Sequence, residues 1–209
     1  MKQIDILGKL FGSGTRVKLL KFFLLNQDQA FGVDDIAARL RVKSPLIRPE
    51  LKNLASIGFV KPKIASMTVV TKRATKKKKV PGFIANPDFM LSQPLRDLLI
   101  ESGGMHISDI GSRFAGTGKI NIFIVSGIFM HDTDRMADLI IAGDRLDRKT
   151  IEVEIKKLES EVGKELRYAL FDTEEFMYRL KMYDKLLRDV LDYPHEKIVN
   201  KLDHPDLRK

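Results

Sequence analysis

Asp34 to Ile57 reads DDIAARLRVKSPLIRPELKNLASI, and Gly58 follows it. The stretch divides into two amphipathic segments. Ile36, Ala37 and Leu40 recur at helical spacing and define one buried face. Asp34 stands ahead of them, where a carboxylate can accept a backbone N–H at the positive end of the helix. Arg41-Val42-Lys43 forms the connecting turn. Ser44 is placed to cap a second helix, with Pro45 at its first position, where a missing N–H costs nothing. Ile47, Leu51, Leu54 and Ile57 follow at spacings of four, three and three and predict one buried side. Arg48 and Lys52, four apart, share another face with Ser44 and Pro45 near the start. Gly58 is the expected stop. Pro49 fits poorly, because in the second turn it removes a backbone hydrogen bond, so the helix is expected to begin later or to bend there. Taken alone, the pair reads equally well as two bundle helices with a solvated basic face.

The next residues change that balance. Phe59 to Val70 is rich in β-branched residues, interrupted by Pro62, and predicts a strand. Thr71 to Lys79, TKRATKKKK, predicts a basic tip, and Val80 to Ala85 a returning strand. The hairpin then carries Lys72, Arg73, Lys76, Lys77, Lys78 and Lys79 at its end. A charge run is ordinarily a solvated surface. Directly after a helix pair, such a hairpin can instead follow a phosphate backbone or enter a minor groove.

Outward from this region, Met1 to Phe11 reads as a short helix. Gly12-Ser13-Gly14 breaks it, and Thr15 is placed to cap a helix running to about Leu25, with Val17, Leu20, Phe23 and Leu24 inward. Ala30 to Val33 suits a short strand. Asn86-Pro87 closes the hairpin, Leu91 to Ile100 reads as helical, and Gly103-Gly104 suits a boundary. The expected division is 1–102, a linker over 103–118 that is weakly helical at Ile107 to Phe114, and 119–209.

The last of these alternates strand and helix: strands at Ile120 to Val125, Ala137 to Ala142 and Leu166 to Phe171, and a helix at Lys149 to Val162. A helix opened by a capping-box-like Asp172-Thr173-Glu174-Glu175 runs to about Leu191, with Tyr183 in its apolar stripe. Pro194 ends it, and Lys197 to Leu202 suits a last strand. Strands separated by helices predict a small α/β sheet. The expected fold class is therefore α+β for the first part and α/β for the second.

Composition bounds the reading. With 209 residues, 44% of them hydrophobic, the chain can build one large or two small cores. It has no cysteine, which excludes disulfides and thiolate metal sites. No apolar signal region or transmembrane run is visible, so a cytoplasmic location is expected. The net charge of +9 is uneven: residues 1–100 hold 19 Lys and Arg against 7 Asp and Glu, +12, and residues 101–209 come to −3. That asymmetry predicts a polyanion-binding half joined to a half with another task.

The first half resembles the winged helix-turn-helix regulators of the arsenic-repressor-like kind. The resemblance rests on Asp35-Ile36-Ala37-Ala38-Arg39-Leu40, Ser44 to Leu54, Ile57-Gly58-Phe59-Val60 and the basic hairpin, over roughly residues 15–90. It departs at Pro49 and in the length of the wing. It implies a second helix in the major groove of double-stranded DNA, with Lys43, Ser44, Arg48 and Lys52 reading or positioning there. Lys72, Arg73 and Lys76 to Lys79 would then supply phosphate contacts, and a homodimer on paired half-sites is expected. Without cysteines, metal-responsive repression does not carry over.

The second half resembles a minimal nucleotidyltransferase fold from about Ile120 to Leu202, at Ser126-Gly127, Asp138 to Asp144, Glu161-Val162-Gly163 and Asp172 to Arg179. The resemblance implies a Gly-Ser turn for the triphosphate, an Asp-x-Asp aiming two carboxylates at two metals, and a third acid on a neighbouring strand. Here the pair is reversed, Ser126-Gly127, and Met136 stands where the first Asp belongs, leaving only Asp138. Leu166 to Phe171 carries no acid. The expectation is a non-catalytic dimerisation or effector module with no cofactor or metal, Asp138 serving as a structural acceptor or relic. Whether it takes a small-molecule or nucleotide effector stays open. The alternative is a metal-dependent nucleotidyltransferase acting on a protein or nucleic acid. Asp132 and Asp134 precede the strand and read as surface residues. Arg167 and Arg179 read as solvated or ion-paired, and the four histidines share no ligand spacing.

Overall fold

The computed structural model describes residues 3–70, 75–101 and 107–208. The chain is mixed α and β and divides into two compact units, 1–103 with 157–164, and 104–156 with 165–209.

The first unit opens with α1 (Gln3–Leu10) and α2 (Gly14–Leu25). Ser13, not Thr15, caps α2, accepting from the Arg16 N–H at 3.2 Å. The buried side of α2 is wider than its four expected residues, because Leu19, Phe22 and Leu25 are buried as well. A helix apolar nearly all round is one enclosed by neighbours. Helix α2 packs against α1 and α4 (Ser44–Ser56), and its core continues into β1 (Phe31–Gly32) and α3 (Val33–Leu40). Phe22, Phe23, Phe31, Ile36, Leu40, Ile47, Leu51 and Leu54 share one core with Phe59 and Val60.

The helix pair has the expected elements with different caps. Helix α3 begins at Val33 with Gly32 as its cap, so Asp34 lies within the first turn. Lys43, not Ser44, is the cap residue of α4, which leaves the Ser44 hydroxyl to donate to Asp34 Oδ1 at 3.0 Å. Arg41, with φ 52°, reverses the chain between the helices. Pro49 neither delays nor interrupts α4. Its ring deprives only the Pro45 carbonyl of an N–H, and both prolines are exposed, so solvent can take the vacant position.

Gly58 ends α4 as expected. At φ +78° it enters the left-handed region, and its N–H donates to the Ala55 carbonyl while the Phe59 N–H reaches back to Leu54, both at 3.0 Å. This pair of bonds is a Schellman closure. Because the helix stops at Ser56, Ile57 leaves the apolar stripe and is 61% exposed, against expectation.

The hairpin consists of β2 (Val60–Val70) and β3 (Thr75–Ala85), with β3 central in the antiparallel order β1-β3-β2. Its register corrects the expected tip. Lys76 to Lys79 belong to the returning strand, opposite Val69, Thr68, Met67 and Ser66. Pro62 is tolerated because β2 lies at the sheet edge. Asn86 fastens the base, its N–H donating to Phe59 O and its Nδ2 to Gly58 O. The helical reading of Leu91 to Ile100 resolves into α5 (Ser92–Arg96) and a π-helical turn over Asp97–Glu101.

In the second unit, α6 (Ile107–Arg113) lies within the stretch expected as linker. Ile110 and Phe114 are nonetheless fully buried, and Phe114 meets Phe123 edge-on at 5.1 Å, so the segment is packed. The sheet has the order β6-β5-β4-β7, with β4 (Lys119–Val125), β5 (Leu139–Asp144), β6 (Tyr168–Asp172) and β7 (Glu196–Asn200). Strand β4 is antiparallel to β5 and β7, while β5 and β6 run parallel and are joined through α7 (Arg148–Val162), whose residues from Lys157 onward belong to the first unit. Strand β5 starts two residues later than expected, so Asp138 precedes it. The helix expected from Asp172 to Leu191 is two: α8 (Thr173–Lys181) and α9 (Lys185–Asp192). Tyr183 is exposed at φ 54° between them, and Asp184 caps α9 through the Leu186 and Leu187 N–H groups. Asp172 occupies the cap position of α8 without a side-chain bond. No helix among the described residues is long and apolar enough to cross a membrane.

Candidate nucleic-acid interface

The surface of α4 follows from its buried side. Ile47, Leu51 and Leu54 face the core, which turns Pro45, Arg48, Pro49 and Lys52 outward. Glu50, the only acid of this helix, is withdrawn from the surface charge by Arg16, whose Nε lies 2.8 Å from Glu50 Oε2. Among the described residues, Arg41, Lys43, Arg48 and Lys52 are exposed and their side chains have neither an ion pair nor a hydrogen bond. Unpaired cations around one exposed helix create a local positive potential suited to a polyanion. Ser44 is the exception among the expected contact residues. Its only proton goes to Asp34, so in this conformation it has none for a phosphate.

A shallow groove beside the α4 N-terminus is lined by Thr15, Lys18, Arg41, Lys43 and Leu46. Lys18 Nζ donates to the Leu40 carbonyl at 3.3 Å. Burial holds the Lys18 pKa below its ordinary value, opposed by Glu161 and reinforced by Arg41. An anion in this groove would meet three cationic side chains from two elements. Sequence reasoning missed Lys18 and Arg41, since nothing local in the chain shows that α2 passes beside the α3–α4 turn.

The hairpin adds Lys78 and Lys79, both exposed, and the backbone places Lys76 and Lys77 just beyond them on β3. Lys72 and Arg73 lie outside the described residues. Since successive strand residues point to opposite faces, Lys78 and Lys79 charge both faces of the ribbon.

The surroundings of Asp138 in the second unit have the opposite character. Asp138 is buried with all of its acceptor positions engaged. Its Oδ1 accepts from the Ile128 N–H at 2.9 Å and Arg167 Nη2 at 3.0 Å. Its Oδ2 accepts from the Arg167 backbone N–H at 2.9 Å and Nε at 3.1 Å. The carboxylate in turn holds the Arg167 pKa above its ordinary value, chiefly through these hydrogen bonds. Ser126 donates its hydroxyl to the Ala137 carbonyl at 2.6 Å. Gly127, at φ +55°, lies so close to the Asp138 carboxylate that a Cβ there would collide with it. Ser126 and Gly127 therefore build a tight turn over Asp138.

Nearby acids are similarly engaged. Asp132 and Asp189 lie 2.9 and 3.3 Å from Arg135, whose guanidinium stacks on Tyr193 at 3.6 Å. Arg179 is held by Glu175 and Asp184. Among the described residues, no group of three His, Asp or Glu is arranged to hold a metal ion. Comparison with protein-family models, curated proteins and solved structures finds no match to this chain.

Proposed function

We propose that the protein is a sequence-specific DNA-binding transcriptional regulator of winged helix-turn-helix design. In this reading α4 enters the major groove of double-stranded DNA and the β2–β3 hairpin follows the flanking backbone. The observation that carries it is the set of exposed, unpaired cations Arg41, Lys43, Arg48 and Lys52 around α4, joined in the same unit by the lysine-bearing strand β3. Phosphate contacts of this kind give affinity and register, while contacts to base edges give specificity. A homodimer on two half-sites follows from the way helix-turn-helix proteins match operator symmetry.

The second unit acts, in this proposal, as a non-catalytic dimerisation or effector module. Asp138 supports that role through its engagement by Ile128 and Arg167. A carboxylate that already accepts four hydrogen bonds has no lone pair directed at a metal.

The test is duplex binding measured over a salt series. Each lysine engaging a phosphate contributes about 0.9 to the log–log slope. Arg48→Ala is expected to weaken binding, and Gln at positions 76–79 is expected to flatten the slope. Unchanged affinity and slope in both variants would refute the proposal, and preference for duplex RNA in competition would reassign the ligand.

A further inference from the structure

Pro49 gains nothing for the fold of α4, so its place on the surface asks for another reason. At about 3.6 residues per turn, Pro45, Pro49 and Lys52 fall along the outward crest of α4, opposite Ile47, Leu51 and Leu54. Arg48 flanks the crest on one side and Leu46 on the other. Pro45, Leu46 and Pro49 are all exposed, Leu46 at 58%.

The N-terminal half of the crest therefore presents hydrocarbon where hydrogen-bonding side chains would read base edges. The one hydroxyl nearby, that of Ser44, is engaged by Asp34. Around this apolar strip stand Arg41, Lys43, Arg48 and Lys52, all without partners among the described residues, while Glu50 is tied to Arg16. A hydrocarbon strip ringed by cations complements one surface chemically: the DNA major groove, with phosphates on its rims. On the floor of that groove the thymine C5-methyl is the only hydrocarbon group of the four base edges.

We infer that Pro45, Leu46 and Pro49 read thymine methyl groups, with Arg48 beside them placed for guanine. This inference rests on the DNA-binding function proposed above and assigns the base preference of that site. It also accounts for Pro49. The pyrrolidine ring offers apolar surface without rotatable bonds, so contact with a methyl group freezes no side-chain rotamers.

The experiment selects duplexes from a random-sequence pool on the full chain, then remakes the enriched duplex with deoxyuridine replacing thymidine one position at a time. The enriched sequence is expected to contain thymine where α4 docks. Each replacement there should weaken binding about fourfold, the effect of one buried methyl-sized group. Leu46→Ala and Pro49→Ala should bind the thymidine and deoxyuridine duplexes alike at the position each residue contacts. Alanine is the better helix former, so unfolding does not explain a loss in Pro49→Ala.

Tight duplex binding with no sensitivity to deoxyuridine overturns the inference and leaves the DNA-binding function standing. Sensitivity that persists unchanged in all three single variants, Pro45→Ala included, places the methyl reader elsewhere and also overturns it. Failure to enrich any duplex overturns both, and would turn the crest into a surface for some other partner.

Discussion

The two units use charge in opposite ways. Around α4, Arg41, Lys43, Arg48 and Lys52 stand exposed without partners among the described residues, and the one acid of that helix is held by Arg16. In the second unit several side-chain charges close on one another: Arg167 on Asp138, Arg135 on Asp132 and Asp189, Arg179 on Glu175 and Asp184. Unpaired surface cations add little to stability and are available for a ligand. A buried carboxylate with its partner is the reverse case, because removing either member leaves a charge or donors unsatisfied. Substitutions of these exposed cations should therefore change binding and leave folding alone, and those around Asp138 should change folding.

The largest effect expected is on binding. Replacing Lys76, Lys77, Lys78 and Lys79 together by Gln should lower the salt slope by about 3 to 4, with the melting temperature unchanged. A slope that stays put would break the comparison at its stronger end. Next comes Asp138→Ala, which should cost about 3 kcal/mol in urea unfolding, since it orphans Arg167 and the Ile128 N–H together. A loss within experimental error would mean that the ion pair is dispensable. If instead metal-dependent nucleotidyl transfer were measured in the native chain and lost in this variant, the non-catalytic reading would fall.

Smaller effects sharpen the contrast. Arg48→Ala should weaken specific duplex binding by about 2 kcal/mol, the range of one base-reading arginine, without moving the unfolding midpoint. Pro49→Ala should stabilise the free protein by about 1 kcal/mol, through the recovered helix bond and better propensity. The smallest change concerns acid. Hydrogen bonds from Thr173 and Asn121 hold the Asp144 carboxyl below its ordinary pKa. A carboxylate depressed in the folded state stabilises above its unfolded pKa, and that contribution disappears as pH falls through the folded value. Asp144→Asn should accordingly flatten the acid-side decline of the melting temperature, and an unaltered profile would show that Asp144 does not set it.

Much of the first unit was legible because its signals are local. The Ile47-Leu51-Leu54 spacing depends only on helical period, and Gly58 stops the helix because a residue without Cβ enters the left-handed region cheaply. Ile57 misled for a related reason: its spacing fits the stripe, but the chain has already left the helix. The basic run misled through register. TKRATKKKK resembles a loop by composition, yet cross-strand pairing draws Lys76 to Lys79 into β3. At Tyr183 the apolar spacing ran straight through a break that Asp184 creates by capping α9.

By itself the sequence determined the charge division, the helix pair and the hairpin, since each is written in residue type and short-range spacing. Tertiary structure decided which of those charges stay unpaired. Arg16 reaches Glu50 across 34 positions and Arg167 reaches Asp138 across 29. Lys18 comes to line a groove with Arg41 and Lys43 only because α2 packs beside the turn between α3 and α4. Such partnerships depend on which surfaces the core brings together, and no local period encodes them.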